Sequence, residues 1–97
     1  MYRIDLAPEA RDDLKALRKH EEVEVVAATR AQLAHEPTTE TRNRKRRRPN
    51  PVAEWELRAG DLRVLYNVDE GAGMVHVEAI GRKVGNLLVL AGRRGPQ

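Results

Sequence analysis

Between Val52 and Gly81 the chain repeats one pattern three times, with almost nothing between the repeats. "VAEWELRA" sets Trp55 and Leu57 against Glu54, Glu56 and Arg58. "LRVLYNV" sets Val64, Tyr66 and Val68 against Arg63, Leu65 and Asn67. "MVHVEAIG" sets Val75, Val77 and Ala79 against Met74, His76, Glu78 and Ile80. A period of two marks a strand whose two faces meet different surroundings. "GD" at Gly60–Asp61 and "DEGAG" at Asp69–Gly73 are turn signals, and strands joined so closely pair antiparallel. The second half of the chain is thereby committed to a sheet, and a sheet with an apolar face needs a cover.

The first third supplies it. "YRIDLA" alternates Tyr2, Ile4 and Leu6 against Arg3, Asp5 and Ala7 and reads as a strand. Pro8 then suits a first helical turn. Glu9, Asp12 and Asp13 lie near the positive end of the helix dipole, and Lys15, Arg18, Lys19 and His20 near the negative end. Ala10, Leu14 and Leu17 form its apolar stripe. A second helix is expected over about 22–35, with its stripe at Val23, Val26, Ala27, Arg30 and Leu33, and Pro37 closes it. The short connection predicts a helical hairpin. Residues 38–51 carry no apolar anchor before Pro49 and Pro51 and read as an exposed loop. Leu87–Leu90 reads as a short terminal strand, and "RRGPQ" as a frayed tail.

The expected fold is α+β: an N-terminal strand, a helical hairpin, then an antiparallel sheet of three to four strands, all in one domain over residues 1–97. The hairpin covers one sheet face. Glu54, Glu56, Arg58, Arg63, His76 and Lys83 are expected on the other face or its rim.

Aromatics are scarce: Trp55, Tyr2 and Tyr66, with no Phe, so the core falls to Leu, Val, Ile and Ala. Without cysteine there is no disulfide framework and no thiolate site. No apolar stretch approaches membrane-spanning length and the start has no apolar leader, so a cytoplasmic protein is expected.

Charge is unevenly placed. Residues 1–41 hold six Lys/Arg and nine Asp/Glu, and residues 49–97 hold six of each. The stretch "RNRKRRR" at 42–48 holds six cations and no anion, so the net +3 is one local feature. Such a patch suits a polyanion or an acidic partner, and the bland alternative is a solvated loop.

Three segments together resemble a known family. "ELR-x-G-D-x-R-V-x-Y-x-V-D" at Glu56–Asp69, "V-x-V-x-A-I-G-x-K" at Val75–Lys83 and the basic loop ending in Pro-Asn, behind a two-helix segment, are similar to the RelE/ParE superfamily of bacterial toxins. That resemblance implies the toxin of a type II toxin–antitoxin pair, with a cognate antitoxin protein as partner. In many members the activity is a metal-independent endoribonuclease that cuts mRNA on the ribosome, with no cofactor. The ParE branch instead inhibits DNA gyrase. A non-catalytic binding module in an antitoxin complex is a third reading.

RNA cleavage without a metal needs a base for the 2′-hydroxyl, cations for the transition-state charge and an acid for the leaving group. By the resemblance Arg63 takes the phosphate-clamp position, Arg58 adds a second guanidinium, and Arg82 and Lys83 match the basic end of the last long strand. Glu56 and His76 are the acid–base candidates; their bland roles are ion pairing and strand structure. Arg42, Arg44, Lys45, Arg46, Arg47 and Arg48, with Arg82, are the expected RNA-binding set. The sequence departs from the nuclease pattern where Glu54 and Glu56 replace lysines, and where Leu87, Leu88 and Val89 stand in place of a C-terminal tyrosine.

Overall fold

A computed structural model describes residues 1–90. Its elements are β1 (Arg3–Leu6), α1 (Pro8–Lys15), α2 (Lys19–Leu33), β2 (Arg44–Arg46), β3 (Trp55–Ala59), β4 (Leu62–Asp69), β5 (Met74–Val84) and β6 (Leu87–Leu90). The expected frayed tail lies outside the described residues. The α+β class and the helical hairpin follow the sequence reading. The sheet has six strands, in the order β1-β5-β4-β3-β2, with β6 also on β5. No helix among the described residues is long and apolar enough to cross a membrane.

The turn between β3 and β4 uses Gly60 at φ +63°, a left-handed conformation that suits the first central position of a tight hairpin. β3, β4 and β5 pair antiparallel in the expected order. Trp55, Leu57, Leu62, Val64, Tyr66, Val75 and Val77 form the buried face with Ala10, Val25 and Leu33 of the helices. Trp55 and Tyr66 stack with centroids 6.2 Å apart, so both aromatics belong to the core. The Tyr66 hydroxyl donates to the Pro37 carbonyl at 2.6 Å and ties down the chain leaving α2.

Four expectations need correction. First, β1 pairs parallel with β5, from Arg3 opposite Met74 to Leu6 opposite Val77, so the sheet is mixed. Second, the basic segment is not simply a loop: Arg44–Arg46 pairs antiparallel with Trp55–Leu57 as an edge strand. Third, α2 is rotated. It buries Glu21, Val25, Thr29 and Leu33, while Val23 is 56% exposed and Arg30 faces solvent. Its aliphatic residues sit on several faces, so spacing alone did not select one. What holds the observed face inward is Glu21, which accepts from the Arg18 N–H at 3.2 Å and pairs with Arg82 of β5 at 2.7 Å.

Fourth, β5 carries one extra residue. The register runs from Leu65 opposite Ala79 directly to Tyr66 opposite Val77, leaving Glu78 unmatched. Such a bulge inverts the facing of everything beyond it. Ile80 therefore enters the main core. Ala79 joins Leu65 and Ala53 in a second small cluster on the outer face, with Leu88 and Leu90 packed against it.

Helix α1 is fastened where the sheet is incomplete. β1 covers β5 as far as Val77, and β6 begins at Gly81. Between them the Ile80 N–H donates at 2.9 Å to Oδ2 of Asp13, which is fully buried. A buried backbone donor needs such a partner, and the carboxylate reaches it from the helix.

Candidate functional site

The outer sheet face brings together most of the singled-out residues by register. Lys45 stands opposite Glu56, and Arg58 opposite Arg63, which in turn faces Gly81. Lys83, two residues beyond Gly81, shares that face, and its N–H donates to the Asp61 carbonyl at 2.8 Å. From β2 to β5 is three strand spacings, about 14 Å. The cations of four strands thus share one side of the sheet.

They differ in freedom. Arg63 is 7% exposed, and one terminal nitrogen donates to the carbonyls of Gly60 and Leu62, both at 2.8 Å. Its Nε lies 3.7 Å from Glu56, whose other oxygen lies 3.7 Å from Arg47. The Arg63 Nε and one Arg47 terminal nitrogen are buried without a hydrogen bond, so Glu56 serves both by charge across a gap. Glu56 is thus a carboxylate between two guanidiniums. Arg58, Lys45 and Lys83 are exposed and have no side-chain partner among the described residues.

The basic segment divides in the same way. Arg44 is 9% exposed. Its Nε donates to the Thr39 carbonyl at 3.0 Å, and a terminal nitrogen to the Gln32 carbonyl at 2.9 Å and to the Gln32 side chain at 3.0 Å. It caps the carbonyl end of α2, where a cation meets the negative pole of the helix. Arg46 lies over Trp55, 5.8 Å from the ring centre, and 3.8 Å from Glu54. Arg47 is drawn to Glu56. Arg42, Lys45 and Arg48 remain, exposed and unpaired among the described residues.

Two expected site residues stand apart. The bulge puts Arg82 on the helix side, where it pairs with Glu21 at 2.7 Å and Asp61 at 3.3 Å. The Glu21 hydrogen bond holds the guanidinium pKa above its usual value, and the same bond, against the cost of burial, lowers that of the Glu21 carboxyl. His76 is opposite Asn67, four residues along β4 from Arg63, or about 13 Å. Its Nδ1 is 2.8 Å from Asp5 of β1. Among the described residues no three His, Asp or Glu side chains gather as a metal-binding group.

Sequence reasoning missed a groove on the helix side. Ile4, Leu6, Leu14, Val26, Thr29 and Arg30 line a space of about 260 Å³ between the hairpin and β1. A shallower hollow continues along α2 past Val23 and Ala27. The signal was present: Val23, Val25, Val26, Ala27, Ala28 and Leu33 of α2 are more apolar residues than one buried helix face can take.

The fold has solved counterparts. The toxin–antitoxin complex RelBE2 from Mycobacterium tuberculosis contains a chain with TM-score 0.73 and 26% identity, matched over 84% of this chain and 91% of that one. The archaeal RelE–RelB complex from Pyrococcus horikoshii OT3 contains another, with TM-score 0.68 and 19% identity over 89% and 98%, a likeness of fold. No curated protein matches the sequence. Residues 4–85 match the family model described as the ParE toxin of the type II toxin–antitoxin system parDE, and the chain belongs to that family.

Proposed function

We propose that this type II toxin arrests growth by holding its target, as a ParE-like inhibitor of DNA gyrase, and that a cognate antitoxin restrains it. The observation that carries this reading is the dispersal of the acid–base groups. A general acid or base must come within about 3 Å of the proton it moves. His76 is tied to Asp5 and separated from Arg63 by about 13 Å of strand. Arg63 is folded back onto carbonyls. The cationic face also lacks an exposed aromatic on which an unpaired base could stack, since Trp55 is 4% exposed and Tyr66 is fully buried.

One observation favours the other reading, a ribosome-associated mRNA endoribonuclease. Glu56 sits 3.7 Å from both Arg63 and Arg47, a carboxylate beside cations that would stabilise transition-state charge. Expression with the antitoxin withheld separates the two. The gyrase reading expects lost supercoiling with purified gyrase, intact transcripts, and arrest retained in Glu56→Gln. New mRNA ends that vanish in Glu56→Gln and Arg63→Ala would overturn it in favour of the nuclease.

The antitoxin's place is the groove along α2. Both solved relatives are toxin–antitoxin complexes. An apolar helix laid beside Val23 and Val26 would cover the side chains that α2 leaves outside the core. Val23→Asp should release a co-purified antitoxin while the toxin stays folded. Retention of the complex would refute this placement.

A further inference from the structure

We infer that Arg42, Lys45 and Arg48, with Arg58 on the neighbouring strand, form a cationic patch at the β2 edge that binds the phosphodiester backbone of a nucleic-acid duplex. The inference stands apart from the gyrase reading and concerns the toxin's direct contact with nucleic acid.

The structure sorts the basic segment by use. Arg44 is spent on the end of α2, Arg46 on Trp55 and Glu54, and Arg47 on Glu56. The nearby carboxylates are engaged too. Glu40 accepts from the Arg46 N–H at 3.2 Å, Glu54 lies by Arg46, and Glu56 lies between Arg47 and Arg63. Arg42, Lys45 and Arg48 have no side-chain partner among the described residues. Their charge is therefore available to a ligand.

Their backbone is already shaped. The β2–β3 ladder holds Arg44–Arg46 extended at the sheet edge, and on either side the Arg58 N–H donates to the Asn43 carbonyl and the Arg47 N–H to the Glu54 carbonyl, both at 2.7 Å. Lys45 stands on the strand, and Arg42 in the bend before it and Arg48 just after it are each three positions away, at most about 10 Å of chain. Cations on and directly flanking a fixed strand meet phosphates with less ordering cost than those of a free loop would.

The aromatic residues decide between single strands and duplexes. Single-stranded nucleic acid is gripped by aromatics on which successive bases stack. Here Trp55 and Tyr66 are in the core, Tyr2 is half-buried beside the opposite edge strand, and the chain has no Phe. A duplex keeps its bases stacked internally and offers phosphates outside, which is what bare cations can use. Such contacts position the protein without reading sequence.

Three to four phosphate contacts give a slope of log affinity against log salt of about −3 to −4. Binding should then fall about 100-fold between 50 and 200 mM salt. The test is fluorescence anisotropy of the full chain with labelled duplex DNA, duplex RNA and single-stranded RNA of equal length. Duplex binding should exceed single-strand binding, and the two duplex arms identify the source of the backbone. The triple variant Arg42→Ala/Lys45→Ala/Arg48→Ala should flatten the salt slope by about three and keep the parent melting temperature. Lys15→Ala/Lys19→Ala, which removes exposed cations from the helices, should change neither. Three outcomes overturn the proposal: an unaltered slope in the triple variant, an equal loss in the helix variant, or tighter binding of single-stranded RNA. No gyrase is present, so failure here leaves the gyrase reading intact.

Discussion

Arg44→Ala and Lys45→Ala remove adjacent cations from one short strand, and the structure predicts unlike results. Arg44 makes three hydrogen bonds, two of them to the carbonyls of Thr39 and Gln32. Gln32 belongs to the last turn of α2, whose carbonyls have no helical partner. Truncation strips charged donors from buried acceptors and opens the packing of β2 on the helix end. Bonds of that type are worth about 1.5–3 kcal/mol each, and partial rehydration makes the sum less than additive, so the loss is roughly 2–4 kcal/mol. For a domain of about 100 residues, ~5 °C per kcal/mol makes this a fall of about 10–20 °C in melting temperature. Lys45 is exposed and unpaired among the described residues, so its truncation should cost less than about 0.5 kcal/mol. Thermal unfolding followed by circular dichroism of the parent and both variants reads the difference. Melting of the two variants within a couple of degrees of each other would refute the division of the basic segment into anchor and free cations.

Asp13→Ala should destabilise by about 1–3 kcal/mol by orphaning the Ile80 N–H, visible as faster hydrogen exchange at Ile80, and Asp13→Asn should recover part of it. Gly81→Ala should loosen β6, because an added Cβ would come within 2.6 Å of the Val89 carbonyl oxygen; exchange should rise over Leu87–Leu90 before it rises elsewhere. Burial raises the Tyr66 pKa above its ordinary 10.0, the nearby Arg44 opposing it, so the unfolded chain ionises first. Stability from this group is complete below pH 10 and is lost as pH rises toward the folded value, and Tyr66→Phe should flatten that alkaline limb of a pH–melting curve. Glu21 behaves oppositely: its lowered pKa, set first by the Arg82 hydrogen bond, gives stability present above pH 4.5 and lost on acidification, and Glu21→Gln should remove that part of the acid limb.

What was legible in the sequence was local. The β3–β4 and β4–β5 hairpins follow from period-two runs and turns a few residues long, where chain connectivity leaves little choice of partner. The helical hairpin follows from Pro8, Pro37 and the charge order of α1. The outer positions of Arg58 and Arg63 follow from the same alternation. Tertiary structure decided what depends on distant partners. "RKR" carries no strand signal and becomes β2 only because β3 lies beside it and α2 ends where Arg44 can reach. The parallel partner of β1 is some seventy residues away. One extra residue at Glu78 exchanged the faces of Ala79 and Ile80 and turned Arg82 toward Glu21, an event invisible until a second strand sets the register. The order of residues at 42–48 determined that this protein would carry a concentrated positive charge. Which of those cations stay free for a ligand depends on buried carbonyls, carboxylates and a tryptophan face, and these are brought into reach only when the chain folds.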